Sequence, residues 1–483
     1  MPNTHPTSAA KWSLVVHRVN TSKVEVWVGT LFPTMAKPDK ARIILSTEDG
    51  TQLKTKVINS SDWDRPFRKH GQRFYFVHTF TGLPEASFFR LEFQRKEKAS
   101  WQQLRRGSFH TLPSSLPGPN QRPFTIGLGS CFYSHRDGGQ AAASYKALYE
   151  RKQKIDLTIL AGDQVYLDIG FDSLSLWPSE IRQRIADDYA EHWQALGSIL
   201  SRGGTWMLPD DHEYWNDYPF YDSLIPTLLA LKISHVRSNW KRASNDAVKN
   251  IQRTKLVDFL EIGDDLSICF ADTRSKRKKS GFLPKDAFRS VTDWAENLES
   301  PGVLVTSQPL IVKPNDNEAN LLSFETQYKK LLSALASSGH DIIVLSGDVH
   351  YGRIATAELG NGGGKLIEII SSPLSNLTGL NGIATSVAKA KPETFPHSSV
   401  DVTGVPSKAV DYDRNYFVGK KKGRLLSAYP KDRTREHFMT IEFSKNTAGK
   451  VKLAAKAWRV RDRAPKTNLP VQEFEKAFQV ALN

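Results

Sequence analysis

The stretch DLTILAGD at residues 156–163 runs straight into GDQVY at 162–166, and its reading decides the fold. Five apolar or β-branched residues in a row, closed by Gly-Asp, describe a short strand buried on both faces and ended by a tight turn. A strand of that kind belongs to a parallel sheet, and a polar residue at its carboxyl end faces the crevice where such sheets bind ligands. Working outward, FTIGLGSC (124–131) reads as a second such strand ending in Cys131, and TWMLPDD (205–211) as a third. DIIVLSGDVH (341–350) is a fourth, carrying Asp348 and His350 just past its end.

Between these strands the period changes. GQAAASYKALYERKQK (139–154) reads as a helix. From Pro178 to Ser201 the apolar positions Ile181, Ile185, Tyr189, Trp193, Leu196 and Leu200 step by three or four, with Pro178 suited to a first turn. Further helices are predicted at 284–299 and near 318–338. Strands alternating with helices place residues 124–465 in an α/β domain. Ahead of it, residues 1–112 carry short alternating runs such as KVEVWVGT and FFRLEFQR, separated by turn residues, which predict a small antiparallel sandwich of the fibronectin or immunoglobulin kind. The four prolines of TLPSSLPGPNQRP (111–123) predict a stiff linker over 113–123. At 466–483, Val471, Phe474, Phe478 and Ala481 fall on one face of a predicted terminal helix that packs on the body or covers a cleft.

The chain has 483 residues with 66 Lys+Arg against 51 Asp+Glu, a net charge of +15 that favours anionic partners without choosing among phosphate esters, nucleic acid and anionic lipid. Two cysteines exclude a disulfide framework. No apolar run is long enough for a membrane span, and the N-terminus does not read as a secretory signal, so the expectation is a cytoplasmic protein or one whose leader has been removed; a monomer is expected.

Each polar strand end has an ordinary reading on its own. Asp163 reads as a turn residue, Cys131 and Tyr166 as core, Asp210, Asp211 and Glu213 as a solvated helix start with His212 ion-paired among them, and Asp348 with His350 as a capping pair. Together they read differently, because clustered carboxylates repel unless a cation neutralises them. Asp163 can bridge two ions. Cys131, Tyr166 and His350 suit a trivalent transition metal, while Asp211 and Asp348 offer hard oxygens for calcium, magnesium or manganese. Such a pair holds a hydroxide that attacks phosphorus, with His212 placed to protonate the leaving oxygen.

The ordered set GDQVY, DDHE and SGDVH resembles the calcineurin-like metallophosphoesterases, and the Cys of GSC with the Tyr of GDxxY is similar to the alkaline phosphatase D (PhoD) family over roughly residues 12–465. The resemblance implies a metallophosphoesterase-type α/β/β/α sandwich behind the small N-terminal one. It implies a ferric site on Cys131, Asp163, Tyr166 and His350, and a calcium site on Asp163, Asp211 and Asp348, with Mg2+, Mn2+ and Zn2+ as alternatives. His212 is implied as the catalytic histidine, and Arg274 of ADTR (271–274) as a phosphate contact, against its reading as a strand-end surface arginine. The implied activity is hydrolysis of phosphate mono- or diesters by a dinuclear-metal-bound hydroxide. A phospholipase D-type or nucleic-acid phosphodiesterase is the alternative within the family, and a polyanion-binding protein the alternative outside it. Members are commonly exported through a twin-arginine signal, which this sequence lacks. The basic runs TRSKRKKSG (273–281) and GKKKGR (419–424) stand outside the motif and read as solvated loops or as substrate contacts.

Overall fold

The structure, a computed structural model, describes residues 8–68, 73–169, 175–221, 226–314, 320–360, 364–376, 391–418, 436–474 and 476–483. The basic run 419–424 lies outside them.

Three sheets carry the molecule. The largest has ten strands, in the order Pro470–Gln472, Val451–Arg463, His437–Lys445, Phe124–Gly129, Leu157–Ala161, Gly204–Leu208, Ser13–Val19, Lys23–Thr30 and Phe74–Thr81, with Phe478–Ala481 also paired to Val451–Arg463. Phe124–Gly129, Leu157–Ala161 and Gly204–Leu208 run parallel to one another, and every residue of the three is buried, as the unbroken apolar runs require. A second sheet of seven strands takes the order Val257–Ile262, Leu266–Ala271, Gly302–Val305, Ile342–Ser346, Gly364–Ile370, Gly352–Leu359 and Asp411–Val418. Its strands from Leu266–Ala271 to Gly364–Ile370 are again parallel neighbours. The third sheet is Gln52–Asn59, Lys40–Thr47, Phe88–Glu97 and Ser100–His110.

One apolar core lies between the large sheet and both others. Ile126, Ile159 and Leu208 meet Ile268, Val305 and Leu345 in it, and Leu14 and Val26 share it with Ile43 and Leu91. The other face of the large sheet is covered by the helices Gln140–Arg151, Pro178–Leu200 and Ser234–Ala247. Helices Lys285–Glu296 and Glu325–Ser337 cover the outer side of the seven-stranded sheet. Fully burying each such Leu or Ile contributes about 1.5–3 kcal/mol. Among the described residues no helix is long and apolar enough to cross a membrane.

Two expectations are corrected. The predicted metallophosphoesterase-type α/β/β/α sandwich with a small all-β sandwich standing in front of it does not describe the chain. Among the described residues strand makes up 37% and helix 24%, so sheet dominates. The boundary at 112–124 does not divide the sheets either. Ser13–Val19 pairs in parallel with Gly204–Leu208 through His17 and Thr205, so the front module lends three strands to the large sheet. Pairing that edge satisfies backbone groups that two separate domains would leave open. The proline-rich segment 113–123 is correspondingly no free spacer: Leu112 and Leu116 are buried in the shared core, and the Leu116 N–H donates to Asp265 Oδ2 at 2.8 Å. The second correction is the terminal helix. Residues 470–472 and 478–481 are strands against Val451–Arg463, and Phe474 between them is buried.

Candidate metal centre

The carboxyl ends of the parallel strands of both large sheets deliver the polar residues to one place. Asp163 follows Leu157–Ala161, Cys131 follows Phe124–Gly129, and Asp210 and Asp211 follow Gly204–Leu208. Asp348 and His350 follow Ile342–Ser346, and Ser372 follows Gly364–Ile370. Two glycines let the backbones close in. A Cβ on Gly162, whose φ is +96°, would lie 2.7 Å from the Asp210 Cβ, and one on Gly347 would lie 2.3 Å from the Ser130 Cβ. Cys131, Asp163, Asp348 and His350 all hold left-handed backbone, with φ between 55° and 67°. An L-residue there costs of order 1–3 kcal/mol, least for Asp, and such residues concentrate at functional sites.

Asp163 is the hub. Its Oδ2 lies 3.4 Å from the Cys131 Sγ and 3.2 Å from the Tyr166 Oη. Ligand atoms of Asp163, Asp210, Asp211 and Asp348 fall within 4.8 Å of one another, as do those of Asp163, Asp211 and His212. The Cys131 Sγ also sits 3.3 Å from the Asp348 carbonyl oxygen and receives the Ser372 hydroxyl at 3.2 Å. His350 joins through its backbone N–H, which donates to the same Ser372 oxygen at 3.0 Å. Five of the six sequence-predicted metal ligands are thus brought together by direct contact or in the carboxylate cluster, while His350 is tied to them through its backbone by way of Ser372.

The electrostatics are those of a site short of positive charge. Burial pushes the Asp163 carboxyl well above its usual range; His212 opposes this, and Asp211, Asp210 and Glu213 add to it. Burial likewise raises the Cys131 thiol, with Asp163 and Asp348 reinforcing it, and the Tyr166 phenol, with Asp163 and Cys131 reinforcing it. Burial, then His212, lowers His350 to about 4, which keeps its imidazole neutral as a metal ligand must be. Two buried acceptors, Asp211 Oδ1 and His350 Nδ1, have no hydrogen-bond partner. Buried carboxylates beside these orphaned atoms could hold a metal cation.

His212 Nδ1 lies 2.7 Å from Asp168 Oδ1, and Asp168 Oδ2 accepts the Asn216 N–H at 2.9 Å. Burial alone would lower the His212 pKa, but Asp168, Asp211 and Asp163 outweigh it and the net shift is upward. Sequence reasoning missed Asp168, although it stands only two residues past Tyr166. It also missed Glu213, read as solvated: its buried carboxylate accepts the N–H groups of Asp163, Gln164 and Asp210 at 3.1, 2.6 and 2.8 Å. Burial lifts Glu213 to about 8, with those N–H groups opposing. The reading of Arg274 as a strand-end surface arginine is corrected. It is buried rather than a surface arginine, and Nε and Nη2 hold Asp210 at 2.7 and 2.9 Å while Nη1 donates to the Tyr218 carbonyl at 2.9 Å, so three of its N–H groups already serve the protein.

No family model matches the chain, and no curated protein matches it. Among solved structures it is similar to GAP50, the anchor in the inner membrane complex of Plasmodium, at 10% identity and TM-score 0.39 over 75% of this chain and 89% of that one. It is also similar to a β-glucuronidase of Parabacteroides merdae, at 7% identity and TM-score 0.28 over 98% and 74%. A fibronectin type III domain of human collagen XX matches at 15% identity and TM-score 0.16 over 20% and 86%. Likenesses this slight carry neither fold nor activity across.

Proposed function

We propose that the chain is a metal-dependent phosphoesterase that hydrolyses phosphate mono- or diesters, as its resemblance to the alkaline phosphatase D family implies. One observation carries the reading: four strand-end clusters, far apart in sequence, converge on the buried Asp163 and leave Asp211 Oδ1 and His350 Nδ1 without partners. On this reading Cys131, Asp163, Tyr166 and His350 hold a ferric ion, and Asp163, Asp211 and Asp348 hold calcium or another hard divalent ion. Such a pair supplies Lewis acidity towards phosphoryl oxygen and an acidified water as nucleophile. His212 is held by Asp168 through Nδ1, which leaves Nε2 to hydrogen-bond the leaving oxygen and hand it a proton. Glu213 fixes the turn that presents Asp163 by accepting two of its N–H groups.

The test is Asp163→Asn purified beside the native chain from iron- and calcium-replete cells. The native protein is expected to carry metal by elemental analysis and to hydrolyse p-nitrophenyl phosphate or its bis ester. The variant should keep its circular dichroism and lose metal and turnover together. Native-level turnover in the variant would overturn the assignment.

A further inference from the structure

The segment Ser275–Lys278 alternates. Arg277 turns inward, where its Nη2 donates to Gln308 Oε1 at 2.7 Å, and Gln308 Nε2 in turn donates to Asp348 Oδ2 at 3.1 Å. Its neighbours Lys276 and Lys278 are exposed. The segment is tied to the metal centre a second way. The Tyr218 hydroxyl donates to the Ser275 carbonyl at 3.2 Å, the Tyr218 carbonyl accepts Arg274, and the adjoining Asp217 N–H donates to Asp211 Oδ2 at 2.7 Å. Over the Tyr218 ring, 5.3 Å from its centre, sits the ammonium of a third exposed lysine, Lys241, from the helix Ser234–Ala247.

The charges of Lys276 and Lys278 reach Lys241: burial, then these two lysines, lowers the Lys241 pKa. Burial raises the pKa of the nearby Asp272 and Lys276 opposes it, but no salt bridge joins a carboxylate to Lys241, Lys276 or Lys278 among the described residues. Three like charges gathered beside a carboxylate-lined centre repel one another unless an anion lies among them. Arg277 and Arg274, which stand between them and the centre, already serve Gln308 and Asp210.

We infer that Lys241, Lys276 and Lys278 form an anion subsite at the rim of the metal centre, which takes a second, uncleaved phosphate of a substrate bearing at least two. The inference rests on the phosphoesterase reading for its substrate and stands apart from it as a binding site. Two sources offer such a phosphate: a small bisphosphate and a nucleotide chain.

The probe is the p-nitrophenyl ester of thymidine 5′-phosphate, with and without a 3′-phosphate. The native chain should favour the bisphosphate in kcat/KM by about tenfold at low salt, the order expected of three exposed ion pairs. Lys241→Ala/Lys276→Ala/Lys278→Ala should abolish that preference. The charge-matched control Lys37→Ala/Lys40→Ala/Lys96→Ala, on the front module, should keep it. Calorimetric binding of thymidine 3′,5′-bisphosphate and of a ten-nucleotide single strand makes the test independent of turnover. Weaker binding of either by the triple variant than by the control supports the subsite, and the one more weakened identifies the source. Equal binding by the two variants, or no preference in an active native enzyme, overturns the inference. An inactive native chain whose lysines still bind the bisphosphate would remove the phosphoesterase reading alone.

Discussion

The Arg274 guanidinium clasps the Asp210 carboxylate through two hydrogen bonds, and side-chain exposure is 3% for one and 0% for the other. A bidentate pair sealed from water is a structural clamp between the second sheet and the first. Arg274→Ala leaves Asp210 charged and unpaired, and removing one partner of a buried pair costs about 3–5 kcal/mol. Urea denaturation should show a loss of that size. A variant of native stability with a raised KM would instead restore the phosphate-contact role.

Asp168 fixes the ring orientation of His212 through Nδ1, and its second oxygen is occupied by the Asn216 backbone. Asp168→Asn should lower kcat by about 10- to 100-fold, the range for orienting partners in such sites, while metal content stays native. A change in KM alone would place His212 in binding rather than in leaving-group protonation.

The Tyr166 hydroxyl lies on the Asp163 oxygen nearest Cys131. Iron-loaded protein should show a visible tyrosinate-to-iron band that Tyr166→Phe bleaches. Loss of that one hydrogen bond should cost about 1 kcal/mol in stability, so the bleached variant should remain folded. Colour that survives Tyr166→Phe would place another residue on the iron.

His17 should make the fold acid-sensitive. It is buried on the front-module strand Ser13–Val19 where that strand pairs with Gly204–Leu208, and burial lowers its pKa to about 3, with Glu25 opposing and Arg18 adding to the shift. The folded value lies below the unfolded 6.5, so between these values the unfolded chain binds the extra proton. Stability is then fully present above about pH 6.5 and drains away as pH falls towards 3. Thermal melts from pH 7 to 4 should show this slope, and His17→Gln should flatten it. His192, also lowered to about 3 by burial, leaves a residual slope.

Gly347 admits no side chain, since a Cβ there would also lie 2.5 Å from the Ala161 carbonyl oxygen. Gly347→Ala should force apart the strand ends bearing Asp348 and Cys131, lowering the melting temperature and the metal content together. Native metal content in this variant would show that the gap between the sheets is adjustable.

The candidate site was far more legible than the architecture around it. Each of its strands is a short apolar run that stops at a polar turn, a signal contained in eight to ten consecutive residues. Cys131, Asp163, Tyr166, Asp211 and Asp348 could therefore be picked out without knowing how the strands pair. The sheet order could not, because the pairing of His17 with Thr205 is a choice between edges distant in sequence, and no local pattern records it. The tail failed for a related reason. Val471, Phe474, Phe478 and Ala481 keep helical spacing, but the open edge of Val451–Arg463 offers backbone hydrogen bonds that a weak helical preference does not outweigh. Glu213 misled because an acid beside two others looks solvated. Only the fold reveals three N–H groups aimed at it.

The strand Ser13–Val19 shields the flank of Gly204–Leu208, whose next turn carries Asp210 and Asp211. The front module is thus a buttress rather than an appendage. A version trimmed to begin at the proline-rich segment would bare a line of peptide groups one turn ahead of Asp210 and Asp211, and would be prone to stick to its neighbours through that edge.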